Sequence, residues 1–282
     1  MDYEITDFRY LGLNPPSDLI STLYRVEINP TELCNRTCGF CPRSDSNLYK
    51  NQKLHLSVET SELIGKQLGD INFTGTIGFV GFGEPMLHPN LDDCIRAVKL
   101  YNKSASMIEV NTNGDFLTTE TATKLVAAGC THITVSMYDA DETEKFQDIC
   151  RGLNVTLTLR HHYDNLKNYN LQIVNRIDIV DKKNSNVSVH KPCYVPFYKM
   201  FIDWNGDYLV CNQDWGRKSG NEFNIHSTTI RDYWLTQINK YRKPLVEGDR
   251  SALSPCKKCH INGTIRGKEC FNLIANHLAH SA

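Results

Sequence analysis

The sequence has no long uninterrupted run of apolar residues. Nowhere do eighteen uncharged apolar residues follow one another, which argues against a membrane-spanning helix. The stretch MDYEITDFRYLGLNPP at its start has no basic segment, no apolar core and no small-residue cleavage site, so we expect no secretory leader. We therefore predict a cytoplasmic protein without a membrane partner.

An excess of charge of one sign is also missing. Lysine and arginine number 31 and aspartate and glutamate 32, which gives a formal net charge of −1. Nucleic-acid-binding proteins usually carry a clear basic excess, so we expect no nucleic-acid partner. With 40% hydrophobic and 22% charged residues, the composition is typical of a folded chain.

Cysteine, in contrast, is abundant, with eleven residues. In a reducing compartment these thiols are not expected to form a disulfide framework, so ligation of a metal or a cluster is favoured for cysteines that occur in spaced groups. Cys94, Cys130 and Cys150 stand alone in or beside predicted helices, and we interpret them as small buried hydrophobic residues.

The first two thirds of the chain alternates between strand-like and helix-like segments. Runs rich in β-branched residues predict strands at 24–29, 76–82, 107–112, 132–137 and 155–160. Between them, capping residues and periodicity predict helices at 58–68, 91–100, from Thr118 or Thr119 to Gly129, and at 139–151. Such alternation indicates an α/β fold with a parallel sheet, either doubly wound or a whole or partial barrel.

The alternation stops after about residue 181. A hairpin is predicted at 200–204 and 208–211, turning on Asn205 and Gly206, and one helix near 229–241. We therefore predict an N-terminal extension at 1–23, a core at 24–185 and a smaller C-terminal domain at 186–282.

Three cysteines follow the first predicted strand at C-x3-C-x2-C spacing: Cys34, Cys38 and Cys41. Three thiolates on one short loop can bind three irons of a [4Fe–4S] cluster and leave the fourth iron open to another ligand. A zinc site is the alternative, but the group lacks the paired C-x2-C spacing of common zinc knuckles.

This group, with the aromatic Phe40 before its last cysteine, resembles the motif of the radical S-adenosylmethionine (SAM) enzymes. The resemblance implies a partial (β/α)6 barrel, a site-open [4Fe–4S] cluster and bound SAM. Reductive cleavage of SAM then gives a 5′-deoxyadenosyl radical that abstracts a hydrogen atom from a substrate, while the protein supplies orientation and excludes water.

The resemblance continues where the later strands end, the region in which α/β barrels place their chemistry. The segment Gly81, Gly83, Glu84 and Pro85 is similar to the GGEP segment of the family, although Phe82 stands where the family has glycine. The implied SAM contacts further along the chain are Asn111, Asn113, Ser136 and Arg160. Each of these polar residues has an ordinary alternative as a turn former, a helix cap or a solvent-exposed side chain.

His161 and His162 follow the fifth predicted strand and are candidate proton carriers, although most histidines in proteins are not catalytic. The sequence alone assigns no catalytic residue.

The second cysteine group comprises Cys193 and Cys211, which enclose Gly206, and the C-x2-C pair Cys256 and Cys259. It resembles the twitch domain, the short form of the SPASM domain. That resemblance implies one auxiliary [4Fe–4S] cluster with four thiolate ligands and leaves Cys270, separated from Cys259 by ten residues, as a spare thiol. A structural zinc site with four cysteines is the alternative.

Taken with the resemblance, the compact chain predicts an oxidoreductase acting on a small polar molecule, with dehydrogenation of a sugar or cyclitol alcohol favoured. Its electron donor would be a flavodoxin or ferredoxin. With 33 residues before Cys34, we expect no fused peptide-recognition domain. The alternatives are modification of a ribosomal peptide by epimerisation or cross-linking, with recognition by a separate partner, and a non-catalytic metal-binding scaffold.

Overall fold

A computed structural model describes residues 16–162, 190–259 and 261–280. The predicted boundary between residues 185 and 186, and most of the predicted N-terminal extension, lie outside these residues. No helix in the three described ranges is long and apolar enough to cross a membrane.

One seven-stranded sheet organises the described chain, in the order β5-β4-β3-β2-β1-β6-β7. Strands β1 to β6 run parallel to their neighbours, and β7 is antiparallel to β6. The five strands predicted in the first two thirds are all present, within two or three residues of their predicted ends. The strand bounds are Arg25–Ile28 (β1), Thr76–Phe79 (β2), Met107–Thr112 (β3), His132–Met137 (β4), Thr156–His161 (β5), Lys199–Ile202 (β6) and Tyr208–Leu209 (β7).

Four helices connect the strands of the first part: Val58–Asp70 (α1), Leu91–Tyr101 (α2), Thr119–Ala128 (α3) and Thr143–Cys150 (α4). The Ser57 side chain accepts a hydrogen bond from the Thr60 amide at the start of α1. Thr118 begins α3 with a capping box, and Gly129 ends it in the left-handed conformation. The prediction for α4 was wrong at its start, since residues 139–142 precede the first helical turn.

Side chains alternate between two faces of the parallel sheet. Val26, Ile28 and their apolar counterparts on other strands belong to the hydrophobic core. The opposite face is polar: Arg25 donates to Glu27 at 2.9 Å and to Glu109 at 2.7 Å, and all three side chains are buried. A Cβ on Gly78 would lie 2.6 Å from Arg25 Nη2, so glycine leaves room for this buried ion-pair network.

The predicted hairpin forms as β6 and β7, with Gly206 at a φ of 87° in the connecting turn. The sequence did not predict where this hairpin lies. It extends the main sheet, because β6 pairs in parallel with β1. Asn29, at the end of β1, donates to Asp203, at the end of β6, at 2.8 Å. The C-terminal segment is therefore built onto the same sheet as the core.

The other α- and π-helical segments lie in the C-terminal part of the chain. They are Val195–Tyr198, Ile230–Asp232, a π-helical stretch Tyr233–Gln237, Asn239–Val246 and Lys268–His280. The single helix predicted near 229–241 is thus several short segments. The last helix, Lys268–His280, was missed although Cys270 and Ile274 recur at helical spacing and are buried.

Candidate functional site

The first cysteine group lies on the loop that follows β1. Cys34, Cys38 and Cys41 are half-buried free thiols, and the Cys41 amide donates to the Cys38 carbonyl at 2.8 Å. The Asn51 side chain holds the first residue of the group, since it accepts a hydrogen bond from the Cys34 amide at 2.9 Å and donates one to the Cys34 carbonyl at 3.0 Å. Burial raises the pKa of the Cys34 thiol and raises that of Cys38 to about 11, so both are protonated at neutral pH until a metal centre takes up the thiolates.

Arg36, between the first two cysteines, ties the loop to the ends of two strands. Its guanidinium donates to Asp115 at 2.5 and 2.6 Å and to Asp139 at 2.6 Å. Asp115 follows β3 and Asp139 follows β4, so one side chain fixes the loop relative to the carboxyl ends of both strands. Sequence reasoning did not single out Arg36, because nothing in the local pattern indicates its distant partners.

A cavity of about 240 Å³ opens between this loop and the strand ends. The structure brings together in its lining all three cysteines and every implied SAM contact except Pro85. Pro85 is buried directly after Glu84, at the start of the short turn Pro85–Leu87. The shared lining residues are Cys34, Cys38, Cys41, Phe40, Gly81, Gly83, Glu84, Asn111, Asn113, Ser136 and Arg160.

The Glu84 carboxylate accepts three hydrogen bonds from groups of this chain. The carboxylate, 3% exposed, accepts from the Thr112 hydroxyl at 2.6 Å, the Asn113 amide at 2.7 Å and the Met86 amide at 3.0 Å. Burial raises the pKa of Glu84, and these hydrogen bonds oppose the rise. The carboxylate thereby fixes the end of β3 beside the cavity.

Neighbouring parts of the chain leave no room for a side chain at Gly81 or Gly83. A Cβ on Gly81 would collide with the Asn29 side chain, and one on Gly83 would collide with the carbonyls of Thr31 and Leu33. These glycines therefore let the segment after β2 lie directly against the segment that leads into Cys34. Both close approaches are to residues that follow β1.

Phe82, which departs from the family pattern, packs in a small aromatic cluster. Its ring centroid lies 4.7 Å from that of Trp215, 5.1 Å from Phe201 and 6.3 Å from Tyr49. Trp215 also lines the cavity, although it belongs to the C-terminal segment, four residues after Cys211. Sequence reasoning missed this contribution because the contact joins distant parts of the chain.

Arg217 binds the same two parts of the molecule together. Its guanidinium donates to Asp203 and Glu32 at 2.5 Å each and to the Tyr49 hydroxyl at 2.6 Å. Glu32 lies two residues before Cys34, so the segment after Cys211 is anchored to the segment that carries the first cysteine group.

The far side of the cavity is formed by the ends of β4 and β5. Ser136 and Arg160 are register partners, and both line the cavity. Tyr138, which the sequence analysis did not identify, lies 5.3 Å from the Phe40 ring and stacks at 5.2 Å on His162. His162 lines the cavity, whereas His161 does not and is exposed.

A second cavity, of about 750 Å³, lies beside the β6–β7 hairpin. All four cysteines of the second group line it, although they come from three separate segments: Cys193, Cys211, Cys256 and Cys259. The Cys259 amide donates to the Cys256 carbonyl at 2.9 Å, which closes the turn between the pair. Burial raises the pKa of Cys193 and Cys211, so these thiols also stay protonated until a metal centre binds.

The donor set of this cavity suits an iron–sulfur cluster. Among the described residues, its lining contains four thiols and no carboxylate. Zinc would draw its ligands to about 2.3 Å from one ion. Within 16–162, 190–259 and 261–280, no three His, Cys, Asp or Glu side chains converge in a way that could hold a single metal ion. Four thiolates are the ligand set of a closed [4Fe–4S] cluster.

The other four cysteines line neither cavity. Cys94, Cys130 and Cys150 are buried, in agreement with their interpretation as core residues. Cys270 is buried in the last helix, where it hydrogen-bonds Tyr24.

Comparison with known proteins identifies the family. The chain belongs to the radical SAM superfamily, whose profile matches residues 28–185. A second profile, SPASM, described as an iron–sulfur cluster-binding domain, matches residues 193–260. The protein is therefore an enzyme that binds SAM at a [4Fe–4S] cluster and carries an auxiliary iron–sulfur cluster.

Its relatives differ in how much of the chain they share. The S-adenosyl-L-methionine-dependent 2-deoxy-scyllo-inosamine dehydrogenase of Niallia circulans is 29% identical over 258 residues, covering 91% of this chain and 99% of the relative. A probable GTP 3′,8-cyclase of Methanococcus aeolicus is 34% identical over 138 residues, covering 43% of that protein. The crystal structure of BtrN in complex with AdoMet and 2-DOIA is similar at a TM-score of 0.72 and 27% identity, and covers 88% of this chain and 96% of BtrN.

Proposed function

We propose that the enzyme is a dehydrogenase that oxidises a secondary alcohol of a small polar molecule, an aminocyclitol or a sugar, to a ketone. The full-length similarity to a SAM-dependent 2-deoxy-scyllo-inosamine dehydrogenase supports this substrate class. So does the similarity to BtrN, whose crystal structure contains AdoMet and 2-DOIA.

One observation carries the proposal: a single short segment lines both cavities. Cys211 lines the cavity with four thiols, and Trp215 lines the cavity with three. A chain of four residues spans at most about 14 Å, so the two cavities lie close together. An electron released by a substrate in the first cavity therefore has a short path to a cluster in the second.

We assign the cluster ligands accordingly. Cys34, Cys38 and Cys41 would bind three irons of the first cluster and leave its fourth iron to SAM. The four cysteines of the second cavity would close the coordination of the auxiliary cluster. When bound, these cofactors would supply a 5′-deoxyadenosyl radical as acceptor for the hydrogen atom of the alcohol carbon and an auxiliary cluster as acceptor for the second electron. A base of this chain would accept the hydroxyl proton.

The residues of this chain would orient and enclose the reactants. Asn111, Asn113 and Ser136 offer polar groups toward bound SAM, and the Arg160 guanidinium can bind its carboxylate. We assign proton acceptance to His162, which lines the same cavity. Burial, together with the charges of Arg160 and His161, lowers its pKa from 6.5, so the ring is neutral and able to accept a proton at pH 7.

The physiological setting follows from the same chemistry. All eleven cysteines lie in the described residues, and none forms a disulfide. We therefore place the enzyme in the cytoplasm, where a flavodoxin or ferredoxin would supply the electron for SAM cleavage. We retain the division into an extension at 1–23, a core at 24–185 and an auxiliary-cluster segment at 186–282.

The test is anaerobic incubation of the reconstituted enzyme with SAM, a reductant and an aminocyclitol. A ketone and one equivalent of 5′-deoxyadenosine per product are expected. A parallel incubation with candidate peptides in D2O tests the alternative: deuterium uptake at a peptide α-carbon, with no ketone from the aminocyclitol, would instead indicate peptide modification. No 5′-deoxyadenosine from the iron-loaded protein would contradict a catalytic role.

A further inference from the structure

Arg250 is a buried arginine that joins two of the segments carrying the second cysteine group. Its side chain is 1% exposed and lines the four-thiol cavity. The guanidinium donates to the carbonyls of Lys191 at 3.0 Å and Pro192 at 2.7 Å, which directly precede Cys193. It also donates to the carbonyls of Cys259 at 3.3 Å and Ile261 at 3.4 Å.

These bonds hold Cys193 and Cys259 on the same side of the cavity although 65 residues lie between them. The Tyr194 amide adds a bond of 2.8 Å to the Gly263 carbonyl. A Cβ on Gly263 would collide with the Cys193 sulfur, so the loop after Cys259 passes directly over that ligand. Arg250 is therefore placed to position the ligand-bearing segments.

The charge of Arg250, like that of Arg242, has no carboxylate among its hydrogen-bond partners in the described residues. Arg25, Arg36 and Arg217 each pair with carboxylates. The hydrogen-bond partners of Arg250 within the described residues are all neutral carbonyl groups. A buried charge is costly unless an opposite charge compensates it.

An iron–sulfur cluster bound in the cavity would supply the opposite charge. An iron–sulfur cluster with four thiolate ligands carries net negative charge, and reduction makes it more negative. The other cations in the lining are less suited: Lys199 pairs with Glu27 at 3.3 Å, and Arg266 is only half-buried. Net charge and nearby hydrogen bonds are among the factors that set the potential of such clusters.

We propose that Arg250 is a positioning residue that acts as the internal counter-charge of the auxiliary cluster and raises its reduction potential. The higher potential makes the cluster a better acceptor for the electron released by the substrate. This inference rests on the assignment of Cys193, Cys211, Cys256 and Cys259 as cluster ligands under the proposed function.

The experiment uses the full-length chain with Cys34, Cys38 and Cys41 replaced by alanine, so that only the auxiliary cluster remains. Iron content and the midpoint potential, from an EPR-monitored redox titration, are measured for this parent and with Arg250→Lys or Arg250→Gln added. Arg242→Gln is the matched control, because Arg242 is also buried and also donates to carbonyls, those of Pro196 and Trp234, but does not line the cavity.

We expect Arg250→Lys to keep the potential of the parent and Arg250→Gln to shift it to a more negative value, with a smaller shift for Arg242→Gln. Loss of iron from Arg250→Gln but not from Arg250→Lys would also support the counter-charge. Equal potentials in the two Arg250 variants, loss of iron from both, or an equal shift in Arg242→Gln would overturn it. A parent that binds no iron would contradict the ligand assignment itself.

Discussion

The two cysteine sites are built in opposite ways. The first uses three cysteines within a single loop, fixed at its edge by the partly exposed pairs of Arg36 with Asp115 and Asp139. The second gathers four cysteines from distant segments around a larger cavity, with the buried Arg250 between two of them. A local loop with one ligand missing can accept an exogenous group, whereas a set of four thiols from several segments forms a closed site suited to electron transfer.

The largest expected effect is loss of product, and the product that is lost differs between the two cysteine sites. Cys38→Ala should abolish formation of 5′-deoxyadenosine and leave about four irons per chain, because the four-thiol site is intact. Cys211→Ala should still cleave SAM but form no ketone. Both products are measured by mass spectrometry after anaerobic turnover, with Cys94→Ala, outside both cavities, as the control. Ketone formation at the normal rate by Cys211→Ala would show that the second site is not the electron acceptor.

A second effect concerns proton transfer in the first site. His162→Gln should lower kcat by about 100-fold, within the usual range for loss of a general base. Because the pKa of His162 is lowered from 6.5, the base form persists below that pH. In the wild-type enzyme kcat/KM should therefore fall only at a pH under 6.5, and the variant should lack this acid limb.

His161→Gln is the matched control, since His161 is exposed and lies outside the cavity. It should behave like the wild type in both rate and pH profile. An unchanged acid limb in His162→Gln would assign the titration to another group.

A smaller effect tests the anchoring of the first loop. Arg36→Met removes the bonds to Asp115 and Asp139 and should lower retention of the first cluster by about tenfold, the usual scale for loss of a supporting contact at a metal site. Iron release to a chelator measures it, and the auxiliary cluster should be unaffected. Arg151→Met, at an exposed pair with Asp148, is the control. Equal loss of iron from both clusters would mean that the two sites are not independent.

The smallest expected effect concerns Trp215, which belongs to the C-terminal segment but lines the first cavity. Trp215→Ala should raise KM for an aminocyclitol by about threefold to tenfold with less change in kcat, since the attraction of a ligand ammonium group to a tryptophan ring contributes about 0.5–2 kcal/mol. Trp215→Phe should restore most of the affinity. Trp204→Ala, in the β6–β7 turn and outside both cavities, should leave KM unchanged. A fall in kcat alone would argue against substrate contact.

Much of this organisation could be predicted from local sequence. The β-branched runs gave the five strands of the core, and Ser57, Thr118 and Gly129 marked helix ends through bonds that span only a few residues. The C-x3-C-x2-C loop was likewise found by its spacing. The candidate residues after the later strands came from the resemblance to the radical SAM enzymes, and they share a cavity because the carboxyl ends of parallel strands meet at one edge of a sheet.

What could not be predicted depends on contacts between distant residues. Arg36, Arg217 and Arg250 act through partners far away in the chain, and no spacing rule connects them. Trp215 reaches the first cavity only because β6 pairs with β1. The helix Lys268–His280 did carry a local pattern, but Cys270 was considered there as a thiol rather than as one position of an apolar helix face.

The pairing of β1 with β6 also constrains how the protein is made. Asn29 and Asp203, bonded at the ends of these strands, are separated by 174 residues. During synthesis β1 and the first cysteine loop emerge early, but their neighbour in the sheet is translated only after the whole core, and contacts this distant in sequence form slowly. The sheet beside the first cysteine loop is therefore completed only after β6 has been translated, so this loop reaches its final surroundings late in folding.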